Sequence, residues 1–222
     1  MKKKVKLLPV DAEQAKRILE RKMTQIRRPV YPQPQGAHCV LDRDDDAHTY
    51  DLMCGGSNNG CFTDWCETVK PRYWEDDILA VQEPWRVAKA HRYESNVTIE
   101  FKAGGEMKTI QFPGYCSDSH CREEYDAFVN KWATEDQRWI SPTAMPREAV
   151  RTYIRVTDVF LNQIQDITDE DIEREGLEIG CAYDEIWNKK MRKNRSTLGW
   201  EANPWVFEYT FEVISKEAAE ND

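Results

Sequence analysis

Asp77-Ile78-Leu79-Ala80-Val81-Gln82-Glu83-Pro84-Trp85-Arg86 sets four consecutive apolar residues between an acidic turn, Glu75-Asp76-Asp77, and a proline. A run that is short, apolar at every position and not alternating is what a strand covered on both faces requires, so it reads as a buried central strand. Its neighbours are sought on either side. Upstream, Val5-Lys6-Leu7-Leu8 reads as a first strand stopped by Pro9. Asp11 follows as a helix N-cap with Gln14 three residues on, and Ala12, Ala15, Ile18 and Leu19 fall on one face at helical spacing. The helical pattern fades near Lys22, and Thr24 to Val30 extends until Pro29, Pro32 and Pro34 interrupt it.

Downstream, Val97 to Phe101 and Lys108 to Phe112 flank Ala103-Gly104-Gly105-Glu106 and predict a β-hairpin with the glycines in its loop. Residues 121 to 133 read as a helix. Arg151 to Val159 is a strand with Thr152, Ile154 and Val156 on one face. Thr168 with Asp171 opens a short helix ended by Gly176, Tyr183 to Met191 forms another, and Trp205 to Ile214 alternates aromatic and polar residues as a last strand. Residues 31 to 70, rich in Pro, Gly, Asn and Asp and holding four of the seven cysteines, read as an insertion outside the core. Strands joined by hairpins and short helices predict an α+β chain, with a partly closed β-barrel as the simplest way to hide strand edges.

A chain of 222 residues can bury one core, so residues 1–222 are expected to form a single domain with insertions. Eight Trp, nine Tyr and seven Phe offset the thin 40% hydrophobic share. The net charge of −9 opposes indiscriminate binding to phosphate backbones, so any nucleic-acid contact must be local. No apolar run approaches the roughly 20 residues of a membrane span, and Met1-Lys2-Lys3-Lys4 lacks the pattern of a secretory signal, so a cytoplasmic setting without membrane is expected. An odd number of cysteines there suggests free thiols or metal ligands. Cys54, Cys61 and Cys66 are the zinc candidates, with His38, Cys39 and His48 as fourth ligands, although structural zinc sites favour closer cysteine pairs. No other cofactor is expected. A Gly-x-Ser-x-Gly turn and the Gly-rich phosphate loops are missing, which argues against serine hydrolases, nucleotide triphosphatases and dinucleotide enzymes.

Three blocks carry a resemblance: Ile18 to Arg28, Asp77 to Arg86, and the combination of Pro142 to Ala149, Arg155 to Val159 and Gly199-Trp200-Glu201-Ala202-Asn203-Pro204-Trp205-Val206. Together they resemble an ASCH-type group of the PUA-like superfamily carried by phages and prophages, which implies a PUA-like barrel with peripheral helices in a bacterial host. Residues 31–70 and 87–138 fall largely outside the resemblance and stand as insertions. The class pattern Gly-x-Lys-x-x-Glu-x-Arg is degenerate here. In the ungapped register it falls on Arg21, Met23, Ile26 and Arg28, keeping only the arginine. Shifted by one residue it falls on Glu20, Lys22, Gln25 and Arg27.

The resemblance implies a nucleotide or nucleic-acid ligand, RNA first and a modified base included, in a cleft lined by Lys22, Thr24, Arg27, Arg28, Glu83 and Trp85, with Arg147 and Arg151 at the rim. Arginines can clamp a phosphate, Glu83 can accept from a base edge and Trp85 can stack. The alternative for the same residues is scaffold, with Arg27 or Arg28 pairing with Glu83 and Trp200 and Trp205 anchoring a core. Relatives that hydrolyse an acetylated cytidine imply an amidohydrolase or nuclease with Lys22, Thr24 and Glu83 as catalytic residues. The degenerate lysine motif argues against catalysis, because the threonine needs a buried lysine as its base. A third reading is a protein-interaction factor aimed at a host protein, which an acidic surface suits.

Overall fold

The computed structural model of the chain describes residues 5–54, 64–112, 119–133 and 136–221. In chain order the strands are β1 (Lys6–Pro9), β2 (Gln25–Pro29), β3 (Ala37–Asp44), β4 (Thr49–Cys54), β5 (Asp64–Val69), β6 (Ile78–Gln82), β7 (Trp85–His91), β8 (Asn96–Phe101), β9 (Lys108–Gln111), β10 (Tyr153–Gln163) and β11 (Trp205–Ile214). The helices are α1 (Ala12–Leu19), α2 (Ser119–Trp132), α3 (Asp169–Arg174), α4 (Tyr183–Lys190), α5 (Arg195–Leu198) and α6 (Lys216–Asn221). The expected mixed α+β fold is present. It holds three sheets: a mixed five-stranded sheet in the order β1-β6-β10-β11-β2, and two three-stranded sheets, β3-β4-β5 and β7-β8-β9. Among the described residues no sheet closes into a barrel. None of the described helices is long and apolar enough to cross a membrane.

The chain divides into two compact units interleaved in sequence. The first comprises Met1–Arg21, Ile78–Ile154 and Val213–Asp222. There β1 runs parallel to β6, Lys6 opposite Leu79 and Pro9 opposite Gln82. Every residue of β6 is buried, as its unbroken apolar run requires. β7, β8 and β9 form an antiparallel meander, with Gly104 and Gly105 at positive φ in the β8–β9 loop. Trp85, Val97, Ile99 and Phe101 pack with Tyr125, Met145 and Val150 into this unit's core. α1 begins with a capping box, the Asp11 carboxylate accepting from the Gln14 amide at 2.8 Å while the Gln14 side chain faces the Asp11 N–H. Asp11→Ala is expected to cost about 1 kcal/mol in urea unfolding, because it leaves that amide unsatisfied.

The second unit comprises Lys22–Asp77 and Arg155–Glu212. The stretch read as an insertion outside the core instead builds the β3-β4-β5 sheet, with Tyr50 and Leu52 buried at 3% and 0% exposure. The reason is local. Thr49 to Leu52 alternates polar and apolar residues, which puts one face of β4 inward, while Asp45-Asp46-Ala47-His48 form the turn before it. The Tyr50 hydroxyl donates to the Val159 carbonyl. Ile164, Ile172, Tyr183, Trp187 and Val206 form a core cluster, with Trp200 packed on its margin. Trp187 Nε1 donates to the Leu198 carbonyl at 2.7 Å. The Gly199 to Val206 block is a folding element: a Cβ on Gly199 would sit 2.4 Å from the Arg195 carbonyl oxygen, and Trp205 is 6% exposed.

Candidate functional site

β2 pairs with β11 in antiparallel register, which sets Arg27 opposite Glu208 and Arg28 opposite Phe207. Alternation along the strand turns Arg27 inward. Its guanidinium meets three carboxylates: Nη1 lies 3.0 Å from Glu175, and Nη2 lies 2.7 Å from Glu208 and 3.0 Å from Asp171. The Tyr183 hydroxyl donates to Glu175 at 3.0 Å, and Lys190 Nζ stands 4.0 Å from the other Glu175 oxygen. Gln25 Nε2 donates to Asp171 at 3.3 Å and Asn162 to Glu208 at 3.4 Å, while the buried Gln25 Oε1 has no hydrogen-bond partner.

Burial opposes the Arg27 charge, but Glu175, Glu208 and Asp171 outweigh it and hold the guanidinium pKa above its ordinary value. Burial raises the Glu208 carboxyl against the pull of Arg27. Burial would raise Asp171 too. Hydrogen bonds from Thr168 and the Arg27 charge hold it below the usual carboxylate range. Burial, with Glu175 close by, pushes the Tyr183 phenol far up. A guanidinium so fully engaged binds elements of its own fold together and has no fork left for a phosphate.

Around this anchor the remaining residues of the segment differ. Lys22 and Thr24 are exposed, and the Thr24 backbone is fixed by bonds to Arg174 and Phe211. Arg28 is half-buried. The Tyr209 hydroxyl accepts from the Arg72 amide at 3.3 Å, Tyr73 meets Tyr209 edge-on at 5.3 Å, and the Arg72 guanidinium lies 5.6 Å from the Tyr73 ring centre. Burial raises both phenols, and the charge of Arg28 opposes that rise in each.

Glu83, Trp85, Arg147 and Arg151 belong to the first unit. Glu83 is 1% exposed and is held bidentately by Arg151, Nε at 2.8 Å and Nη2 at 2.9 Å. The arginine partner of Glu83 is therefore Arg151, where the scaffold alternative offered Arg27 or Arg28; register gives Arg27 to Glu208. Arg151 also donates to the Gly104 and Glu106 carbonyls and lies 4.0 Å over the Phe101 ring. Trp85 is 0% exposed and packs edge-on against Trp132 at 5.5 Å, which leaves no ring face open to a base. Arg147 is exposed.

Cys61 and the side chains of Cys54, Cys66 and His38 lie outside the described residues. Cys39 is a half-buried free thiol, and His48 stacks on Trp74 at 4.8 Å. Among the described residues no group of three or more His, Cys, Asp or Glu is arranged to hold a metal ion.

Sequence reading missed Asp171, Glu175, Glu208, Tyr183 and Arg72. Two signals pointed that way: Glu208 is the one charge within Trp205 to Phe211, and Asp171 is already fixed by its capping box with Thr168. Comparison with protein-family models, with curated proteins and with solved structures finds no match to this chain.

Proposed function

We propose that the chain is a phage-type, ASCH-like binding module of the PUA-like class, its main sheet an open form of that barrel, which takes a nucleotide or a short stretch of RNA. The observation that carries this reading is the pair of guanidinium groups, Arg28 and Arg72, set around the Tyr73 and Tyr209 rings in a molecule of net charge −9. Positive charge gathered locally against an acidic background is what a phosphate-bearing ligand needs, and the buried Tyr73 and Tyr209 rings serve to place it rather than to stack a base. Lys22 and Thr24 stand exposed in the same segment and extend the polar face. The hydrolase reading has less support. Lys22 lacks the burial that a lysine base requires, and Glu83 is occupied by Arg151.

The test is fluorescence anisotropy of a labelled oligo-uridine against salt concentration. Affinity is expected to fall steeply with salt. Arg28→Ala with Arg72→Ala is expected to weaken binding about tenfold or more and to flatten the log–log salt slope by about 1.4, two contacts at about 0.7 each. The far-ultraviolet circular dichroism should not change. Equal affinity and slope in the double variant would remove the proposal.

A further inference from the structure

In the second unit, Lys189-Lys190-Met191-Arg192-Lys193-Asn194-Arg195 places five cations in seven residues, and residues 186–200 contain no acidic side chain, in a chain of net charge −9. The stretch covers the last turn of α4, the turn that follows and the start of α5. Hydrogen bonds fix its shape. The Met191 N–H donates to the Trp187 carbonyl at 3.0 Å and the Asn194 N–H to the Met191 carbonyl at 2.8 Å. At its base Trp187 Nε1 donates to the Leu198 carbonyl at 2.7 Å, and Asn188 Oδ1 accepts from the Trp200 N–H at 2.9 Å. The two ends are thus clamped together, and Lys189, Arg192, Lys193 and Arg195 between them are exposed. Lys190 stands 4.0 Å from Glu175 and Arg195 pairs with Glu201 at 3.2 Å, whereas Lys189, Arg192 and Lys193 form no ion pair among the described residues.

An aromatic ring stands in water beside this turn. Tyr31 is 69% exposed, and its hydroxyl accepts from Asn194 Nδ2 at 2.9 Å. Its backbone is held on both sides: the Val30 N–H donates to the Trp205 carbonyl at 3.0 Å, and Gln33 Nε2 donates to the Val30 and Trp205 carbonyls at 2.8 and 2.9 Å. The helix dipole accounts for Lys189 and Lys190 in the last turn of α4, but its field falls off past that turn and leaves Arg192 and Lys193 unexplained. Packing does not account for the ring either, since large aromatic side chains stabilise a fold chiefly by burial.

We propose that Tyr31 and the turn from Lys189 to Arg195 form a surface for single-stranded nucleic acid, the cations following its phosphates and the ring stacking on a base. One hydrogen bond ties the ring to Asn194, next to Lys193 and Arg195, so a short strand reaches ring and cations together. An acidic peptide or an anionic lipid surface would meet the cations but bring no planar partner for the ring, and a duplex keeps its base faces stacked inside. The surface uses neither Arg28 nor Arg72 and goes beyond the reading given to them; either can fail without the other.

The experiment is fluorescence anisotropy of labelled oligo-uridine with the whole chain across a salt series. The triple variant Lys189→Ala, Arg192→Ala, Lys193→Ala is expected to weaken binding about tenfold or more and to flatten the log–log salt slope by about 2.1, three contacts at about 0.7 each. Tyr31→Ala should weaken it severalfold at an unchanged slope, because stacking displaces no counterions, and Tyr31→Phe, which keeps the ring, should bind nearly as the parent does. A triple variant or a Tyr31→Ala protein that binds like the parent overturns the proposal, and so does a duplex of the same length that binds as tightly as the single strand. A parent that ignores oligo-uridine at low salt but sediments with phosphatidylserine vesicles overturns it in favour of a membrane surface. Loss in the triple variant without loss in the Arg28→Ala, Arg72→Ala protein leaves this surface standing and removes the other; the reverse overturns this one. Should a variant fail to fold, acetylation of the parent by acetic anhydride, mapped by mass spectrometry, decides. Oligo-uridine must slow labelling of Lys189 and Lys193 more than that of the exposed Lys102; equal slowing at all three overturns the proposal. Oligo-deoxythymidine in the same titration then names the strand, tighter binding of oligo-uridine assigning RNA and equal or weaker binding assigning single strands of either sugar.

Discussion

Arg27→Ala is expected to lower folding stability by about 3–5 kcal/mol in urea unfolding, the cost of leaving buried charge unpaired. Removing the guanidinium strands Glu175, whose side chain is 1% exposed, together with Glu208 and Asp171; among the described residues Lys190, 4.0 Å from Glu175, is the cation that remains beside them. The pH dependence has a definite sign. In the variant Glu208, raised by burial and deprived of the pull of Arg27, is protonated more readily folded than unfolded, so stability rises as pH falls towards the ordinary carboxylate range. In the parent, Glu208, raised by burial, contributes in that same direction. Asp171 works oppositely: its depressed pKa contributes stability present above the ordinary carboxylate value and lost as pH falls through the depressed one. The gap between parent and variant should therefore narrow between about pH 7 and about pH 5. A loss below about 1 kcal/mol, the size of an exposed pair, would mean that water already reaches the cluster.

The same cluster marks where sequence reading stops. Periodicity tells which side of an element faces inward, and it placed β1, the α1 cap, β6, the β8–β9 hairpin and β10 from local pattern alone. It cannot tell which distant element supplies a partner. Arg27 meets Glu175 and Glu208 across 148 and 181 residues, so the pairing follows only from the β2–β11 register. Glu83 was legible as a charge that needs a partner, but the arginine came from 68 residues downstream rather than from the segment that the resemblance singled out. Composition misled at residues 31 to 70. Turn formers dominate the count there, yet Tyr50 and Leu52 suffice to bury one face of a strand. Trp85, expected to stack on a base, is buried instead, because a ring that large contributes more among Phe128 and Trp132 than standing in water.

Arg151→Ala should cost about 3 kcal/mol or more, since it leaves Glu83, 1% exposed, without its counter-charge. The effect should also be local and visible. Arg151 holds the Gly104 and Glu106 carbonyls at 2.8 and 3.1 Å, so its loss is expected to speed hydrogen exchange across the β8–β9 loop. Glu83→Gln keeps an acceptor oxygen for the guanidinium; it should destabilise less and leave exchange in that loop nearly unchanged. Arg151→Lys should recover only a minor part of the loss, because a single ammonium cannot span both Glu83 oxygens and two carbonyls while lying flat on Phe101 at 4.0 Å. Glu83→Ala combined with Arg151→Ala should cost clearly less than the two single losses added, because each single change strands a charge that the double change removes. Additive losses would show that the two groups act independently, and Glu83 would then have to be stabilised by something other than Arg151.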